Sequence, residues 1–284
     1  MGTEVVLVIA FLLQAYAGEE WVLPEKLRET IATVKNQPLG HRISSISYDM
    51  RGKGYVVDPI GEDGSPDTDL VARYDVYDCL TFVEEVLSLT LAADPSSAFL
   101  IRNALRYKAP PYTYENRNHF MISQWMPNAI EKGLLTDITA SFGRLKKIRK
   151  KWRPRIWTHW IGRRKFHLEN NQFPLGIYSI DVLPLDKALK NIYKFPEGSI
   201  LLVVRSNHPH NPILVTHLGF VVYRHGKPRF RHASKMGRGS VRDDSLWWYL
   251  NHLKTFKWPV AGVAVFFPVE QGPRRIQEPS MVEQ

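Results

Sequence analysis

The sequence predicts an α+β fold, and three observations carry that prediction. Apolar residues at helical spacing fill the first half of the chain. Beyond Asp181 the character changes to β-branched and aromatic runs bounded by turn residues. The two kinds of segment follow one another instead of alternating, which argues against a parallel sheet built from βαβ units. With 44% hydrophobic and 23% charged residues among 284, the composition is that of a globular protein. Disordered, collagen-like and disulfide-scaffold classes are excluded, the last because Cys79 is the sole cysteine.

The elements follow in order. Val5 to Leu13 is a short apolar run followed by Ala15-Tyr16-Ala17, a pattern that resembles a secretory signal cleaved after Ala17. The run is too short for a bilayer, which needs ~20 residues, and no later stretch is long and apolar enough to span one. Residues 1–17 are therefore expected to be a signal peptide, 18–268 a single catalytic domain and 269–284 a polar tail. The expected compartment is the bacterial periplasm or the exterior, which a lone thiol suits because it has no partner to oxidise with. Leu23 to Val34 reads as a helix with Pro24 at its start. Gly52 to Pro66 reads as loop. Asp78 to Leu91 reads as a helix whose apolar face holds Phe82, Val83, Val86 and Leu87, with Glu84 and Glu85 turned away from it. Ala98 to Tyr107 is a further helix, Pro110 to Asn118 a loop, and Trp125 to Gly133 a short helix with Gly133 just past its end.

Residues 143–165 form a basic insertion interleaved with Trp152, Trp157 and Trp160. Its first reading is a solvated segment whose Lys and Arg stems cover a tryptophan core. Binding of anionic envelope polymers comes second. Nucleic acid is not expected, because an exported chain does not meet it. Ser199–Arg205, Val215–Tyr223, Arg229–Ala233 and Gly262–Phe267 read as strands, with Arg224 to Lys227 as a hairpin turn.

The chemistry lies at the ends of two of these elements. Asp78 occupies an N-cap position, so Cys79 opens its helix among free N–H groups that favour a thiolate. Asp78 opposes this with its own charge, and a nearby imidazolium would supply the remainder. His217 and His232 lie on the two arms of the predicted hairpin. With an even-length loop, paired residue numbers sum to an odd value. An odd-numbered and an even-numbered histidine then share a sheet face, directly opposite or one step diagonal. A lone cysteine on an apolar helix is usually core, and a strand histidine is usually structural. Together they compose a nucleophile, a base and an orienting group.

The residues also carry a family resemblance. Tyr77 to Glu84 (YDCLTFVE) resembles the D-C-x-T-F-V-E signature of the N-acetylmuramoyl-L-alanine amidase-like branch of NlpC-type, papain-related cell-wall cysteine hydrolases. Asn116 to Phe120 resembles that branch's R-N-H-Y-F segment, Glu197 to Ile200 its G-D-I-I strand start, Thr216 to Phe220 its H-V-G-I, and His232 to Ser234 its H-A-S. The resemblance implies a papain-like core with the cysteine helix packed on an antiparallel sheet that carries the histidines. It implies Cys79 as nucleophile, His217 as base and His232 as orienting residue, with no cofactor or metal. It further implies Tyr55, in Gly54-Tyr55-Val56-Val57, near the oxyanion, and Arg117, Asn118 and His119 lining the substrate cleft. The implied reaction is cleavage between (anhydro-)N-acetylmuramic acid and L-alanine in peptidoglycan fragments. In the wider superfamily the bond is γ-D-glutamyl–diamino acid, and spacing alone does not choose between them. Two competing readings stay open: a zinc amidase built on His208, His210 and His217, and a non-catalytic cell-wall binding module.

Overall fold

The structure is a computed structural model that describes residues 22–60, 72–166 and 168–270. The expected signal peptide and nearly all of the polar tail lie outside the described residues. Helices α1 (Glu25–Val34) and α2 (Leu39–Asp49) lead to two short strands, β1 (Gly54–Tyr55) and β2 (Val76–Tyr77). Helices α3 (Cys79–Leu91), α4 (Ala98–Arg106) and α5 (Met126–Glu131) come next, then β3 (Leu135–Asp137), β4 (Lys146–Trp152), α6 (Pro154–His159), β5 (Gly176–Val182) and α7 (Leu185–Lys190). The chain continues with β6 (Ile200–Arg205), β7 (Val215–Arg224), β8 (Lys227–Ser234), β9 (Ser240–Ser245), α8 (Leu246–His252) and β10 (Val260–Pro268).

Eight strands form one sheet in the order β2-β1-β9-β8-β7-β6-β10-β3, antiparallel except for the β1–β2 pair. Alternate residues of its central strands feed two apolar layers. Ile200, Leu202, Leu218, Phe220 and Ala233 pack with Phe82, Val83, Val86 and Leu87 of α3. Leu201, Val203, Val221 and Phe230 pack with Leu246, Tyr249 and Leu250 of α8. The mixed α+β class is as the sequence predicts.

Several local expectations change. Strand β1 falls inside the segment read as loop. It pairs with β2 with Tyr55 opposite Tyr77, two residues before Cys79. The helix expected from Trp125 begins as a π-helical turn at Met121–Trp125 and continues as α5, with Gly133 beyond it at φ 67°. At the start of the tail, the Val269 N–H donates to the Leu134 carbonyl and Glu270 pairs with Arg42.

Glu84 and Glu85 do not face solvent. Both are buried, because α4 and the turn at residues 121–125 cover the side of α3 that the sheet leaves open. A buried carboxylate is tolerated only when paired. Arg102 donates to Glu85 through Nε and Nη2, each at 2.7 Å. Arg106 donates to Glu84 at 2.8 Å and to Glu85 at 3.1 Å, and the Trp125 indole N–H donates to Glu84 at 2.8 Å.

The basic insertion folds as a separate two-stranded ribbon, β4 paired with β5. Its inner face holds Ile148, Trp152, Ile180 and Val182, and the outer positions Lys147, Arg149 and Lys151 are exposed. The tryptophan core is present: Trp152 and Trp157 stack on Phe173 at 4.9 Å between centroids, and Phe120 and Phe166 close the cluster.

Candidate active site

Helix α3 starts where it does because Asp78 caps it. The Thr81 N–H donates to Asp78 Oδ1 at 2.8 Å, and the Asp78 N–H donates to Thr81 Oγ1 at 3.0 Å, a reciprocal capping box. Cys79 is thus the first helical residue, and its side chain stays partly exposed. Burial pushes its thiol up to about 12, and the Asp78 charge adds to that. The N–H groups of Leu218, Cys79 and Leu80 pull the other way without prevailing. The helix-end N–H groups do lower the thiol, as the sequence suggests, but desolvation and the Asp78 charge outweigh them. A thiol held up in this way calls for a base to become a thiolate.

The β7–β8 hairpin turns through His225 and Gly226, both with positive φ, as a two-residue turn of this twist requires. Pairs such as Phe220–Arg231 have odd sums, as predicted, and continuing that register puts His217 and His232 one step diagonal. Gly219 lies between them. A Cβ there would fall 2.7 Å from His232 Cβ, so glycine makes room for the two rings to meet. They do: His217 Nε2 lies 2.6 Å from His232 Nδ1. Tyr249 of α8 packs on both, 6.2 Å from the His217 ring centroid and 5.1 Å from that of His232.

The next strand adds a residue the sequence reading missed. On β9, Asp244 Oδ2 lies 3.0 Å from His232 Nε2, and Arg242 donates to Asp244 Oδ1 at 2.9 and 2.6 Å. Burial would raise the Asp244 carboxyl, but the hydrogen bonds and charges of His232 and Arg242 outweigh it and hold it below the usual range. A carboxylate must accept, so His232 Nε2 carries a proton. Neutral His232 then accepts at Nδ1, so His217 Nε2 donates to it. That fixes the His217 tautomer with Nδ1 unprotonated and free to act as a base. Burial holds His217 well below its ordinary pKa, a charge on His232 would lower it further, and burial lowers His232 as well.

The Leu218 N–H acts on the Cys79 sulfur, which places the thiol beside the residue following His217. Burial raises the phenols of Tyr55 and Tyr249, and a Cys79 charge would raise both further, so both stand within electrostatic reach of the sulfur. The structure therefore sets Cys79 near Tyr55 and beside the strand that carries His217, whose ring meets that of His232. Among the described residues no hydrogen bond joins the resting thiol directly to an imidazole.

Arg117, Asn118 and His119 do not line an open cleft. Arg117 and Asn118 are buried and border a small internal cavity with Asp78, Thr81, Glu84 and Arg106. The Asn118 amide donates to the Leu105 carbonyl at 2.8 Å. The His119 ring packs on Tyr114 at 4.6 Å, with Nε2 2.7 Å from the Tyr114 carbonyl. These residues brace the layer around α3 because the chain from Tyr107 to Phe120 folds back against α4. His208 and His210 contact each other at 5.9 Å between ring centroids, on the loop after β6. Among the described residues no three His, Cys, Asp or Glu side chains converge as metal ligands.

The α+β fold and the sequence together describe an amidase-like hydrolase. Residues 45–256 match the AmiA-like family, N-acetylmuramoyl-L-alanine amidase-like, and the chain belongs to that family. Three solved structures are similar in fold. One is a Legionella pneumophila protein of family DUF1460 (24% identity, TM-score 0.75, covering 87% of this chain and 94% of that one). Another is an N-acetylmuramoyl-L-alanine amidase from Bacteroides uniformis (22% identity, TM-score 0.67, 82% and 99%). A third, from Bacteroides fragilis, is provisionally named a xylanase (24% identity, TM-score 0.61, 78% and 98%). No sequence among curated proteins matches the chain.

Proposed function

We propose that the protein is a cysteine amidase with a papain-like, NlpC-type core. It cleaves the amide between the lactyl group of (anhydro-)N-acetylmuramic acid and L-alanine in muropeptides or peptidoglycan. The observation that carries this reading is the chain from His217 through His232 to Asp244, on the sheet against which the helix that opens with the Cys79 thiol packs. His217 Nδ1 takes the Cys79 proton as the sulfur attacks the lactyl carbonyl. The resulting imidazolium is stabilised through His232 by the Asp244 carboxylate. The Cys79 N–H and the Tyr55 hydroxyl donate to the oxyanion. When the intermediate collapses, His217 returns the proton to the leaving amine of L-alanine and the C–N bond breaks. A muramyl thioester remains on Cys79. Water then attacks it, giving up its proton to His217, and the free acid and thiol are released.

On this reading the enzyme is exported to the periplasm or secreted, with residues 1–17 removed. Mass spectrometry of a defined anhydro-muropeptide digested by wild type and Cys79→Ala tests it. The expected products are the intact stem peptide with a free L-alanine amine and the anhydromuramyl sugar, from wild type alone. Products cut after D-glutamate would identify a γ-D-glutamyl endopeptidase instead. Absence of turnover would identify a binding module. Full turnover by Cys79→Ala would remove the cysteine from the chemistry.

A further inference from the structure

The positive charge of this protein sits almost wholly in one insertion. Residues 143–165 contain eleven Lys and Arg and no Asp or Glu, a charge of +11 against +10 for the whole chain. The remainder is close to neutral. The fold then sorts these cations. Lys150 turns inward, where its ammonium donates to Asn207 Oδ1 at 3.0 Å and to the His208 carbonyl. Lys147, Arg149 and Lys151 alternate onto the exposed face of the β4–β5 ribbon, and Arg153, Arg155 and Arg164 extend the exposed surface. Lys147 has one counter-ion, Asp181 at 2.8 Å, and among the described residues no carboxylate pairs with Arg149 or Lys151.

Apolar side chains stand among these charges. Ile161 is 83% exposed, Ile177 65% and Leu175 54%. Ile177 pairs directly with Lys151 across the ribbon. Along the chain Ile161 follows Trp160 and Leu175 lies two residues after Phe173, both members of the aromatic cluster with Trp152 and Trp157. A charge run that served only solubility would gain nothing from bare isoleucines. A soluble polyanion would engage the cations and leave the aliphatic groups in water. A bilayer bearing anionic headgroups answers both, with phosphates meeting Lys and Arg and the aliphatic tips entering the interface.

We propose that the outer face of the β4–β5 ribbon, with Ile161, Leu175 and Ile177, is an adsorption surface for anionic phospholipid membranes. It holds the protein at a bilayer without spanning it. Among the described residues no helix is long and apolar enough to cross one. The proposal is independent of the chemistry at Cys79.

Vesicle co-sedimentation of the full chain tests it, using phosphatidylcholine alone and phosphatidylcholine with about 30% phosphatidylglycerol at about 0.1 M salt. Wild type is expected to sediment with the anionic vesicles only and to be released at about 0.5 M salt. Lys147→Glu/Arg149→Glu/Lys151→Glu lowers the partition coefficient by roughly 100-fold or more, given a factor of about five per cation. Ile161→Ser/Ile177→Ser lowers it about tenfold while binding to soluble polyglutamate stays unchanged. All five positions are exposed, and far-ultraviolet circular dichroism confirms that both variants fold. Failure of wild type to sediment with anionic vesicles overturns the proposal, as does a charge-reversed variant that binds like wild type. So does an isoleucine variant with undiminished vesicle binding, which would mark the surface as a polyanion site.

Discussion

Two buried polar networks flank the start of α3, and they differ in one respect that separates structure from chemistry. In the first, Glu84 and Glu85 meet Arg102, Arg106 and the Trp125 indole at 2.7 to 3.1 Å, so each buried carboxylate has a guanidinium partner. In the second, Asp244 holds His232 at 3.0 Å and His232 holds His217 at 2.6 Å, but the outermost nitrogen, His217 Nδ1, is left over. A saturated network resists change, because breaking one member strands a buried charge. An open-ended one can pass a proton along its length. The comparison teaches that burial and hydrogen bonding alone do not mark a site; an imidazole nitrogen left over at the end of such a chain marks a candidate one.

Substitutions in the two networks are expected to separate accordingly. His217→Ala removes the base and is expected to lower kcat/KM by about 10⁴-fold with little change in melting temperature. Equal loss of stability and activity would erase the distinction. Arg106→Met is expected to do the converse. It leaves Glu84, already raised by burial, without its main opposing charge. Urea unfolding should register a loss of about 3–5 kcal/mol, while turnover per folded molecule stays near wild type. Asp244→Asn is milder than either. It removes the charge that orients His232, so kcat falls on the order of 100-fold with KM nearly constant.

The smallest effect is a pH dependence of stability. Folding holds His217 and His232 below their usual pKa of 6.5, so the native state favours their neutral forms. Each therefore contributes stability that is complete above pH 6.5 and is lost as the pH falls through 6.5 toward the lower native values. Chemical denaturation at several pH values should show this acid-side decline. In His217→Gln the slope should be shallower, and an unchanged slope would place the titration elsewhere.

Parts of this arrangement were legible in the chain itself. The Asp78 cap, the apolar stripe of α3 and the His225-Gly226 turn are local signals, and they put Cys79 at the first residue of its helix and His217 and His232 on the two arms of one hairpin. The odd-sum rule put both imidazoles on one face, directly opposite or one step diagonal, and the register sets them diagonal. Asp244 was not legible. Ser240 to Ser245 reads SVRDDS, too polar to suggest a strand, and becomes one only because β8 and β1 pair with it on either side. Glu84 and Glu85 misled for a related reason: charge predicts exposure, and their guanidinium partners arrive from α4 in a manner no local pattern signals. The ribbon strands hid in the same way, since the cations between Ile148 and Trp152 mask a period-two alternation. The Arg117–His119 segment was placed by resemblance, and in the fold it serves packing.

Covalent capture of the acyl group on the enzyme tests the central claim most directly. Intact-protein mass spectrometry after rapid acid quench with an anhydro-muropeptide is expected to detect a transient adduct on the wild-type chain. Its mass should equal the anhydromuramyl acyl group, and peptide mapping should locate it at Cys79. An adduct carrying the stem peptide, one at another residue, or multiple turnover by Cys79→Ala would contradict the account.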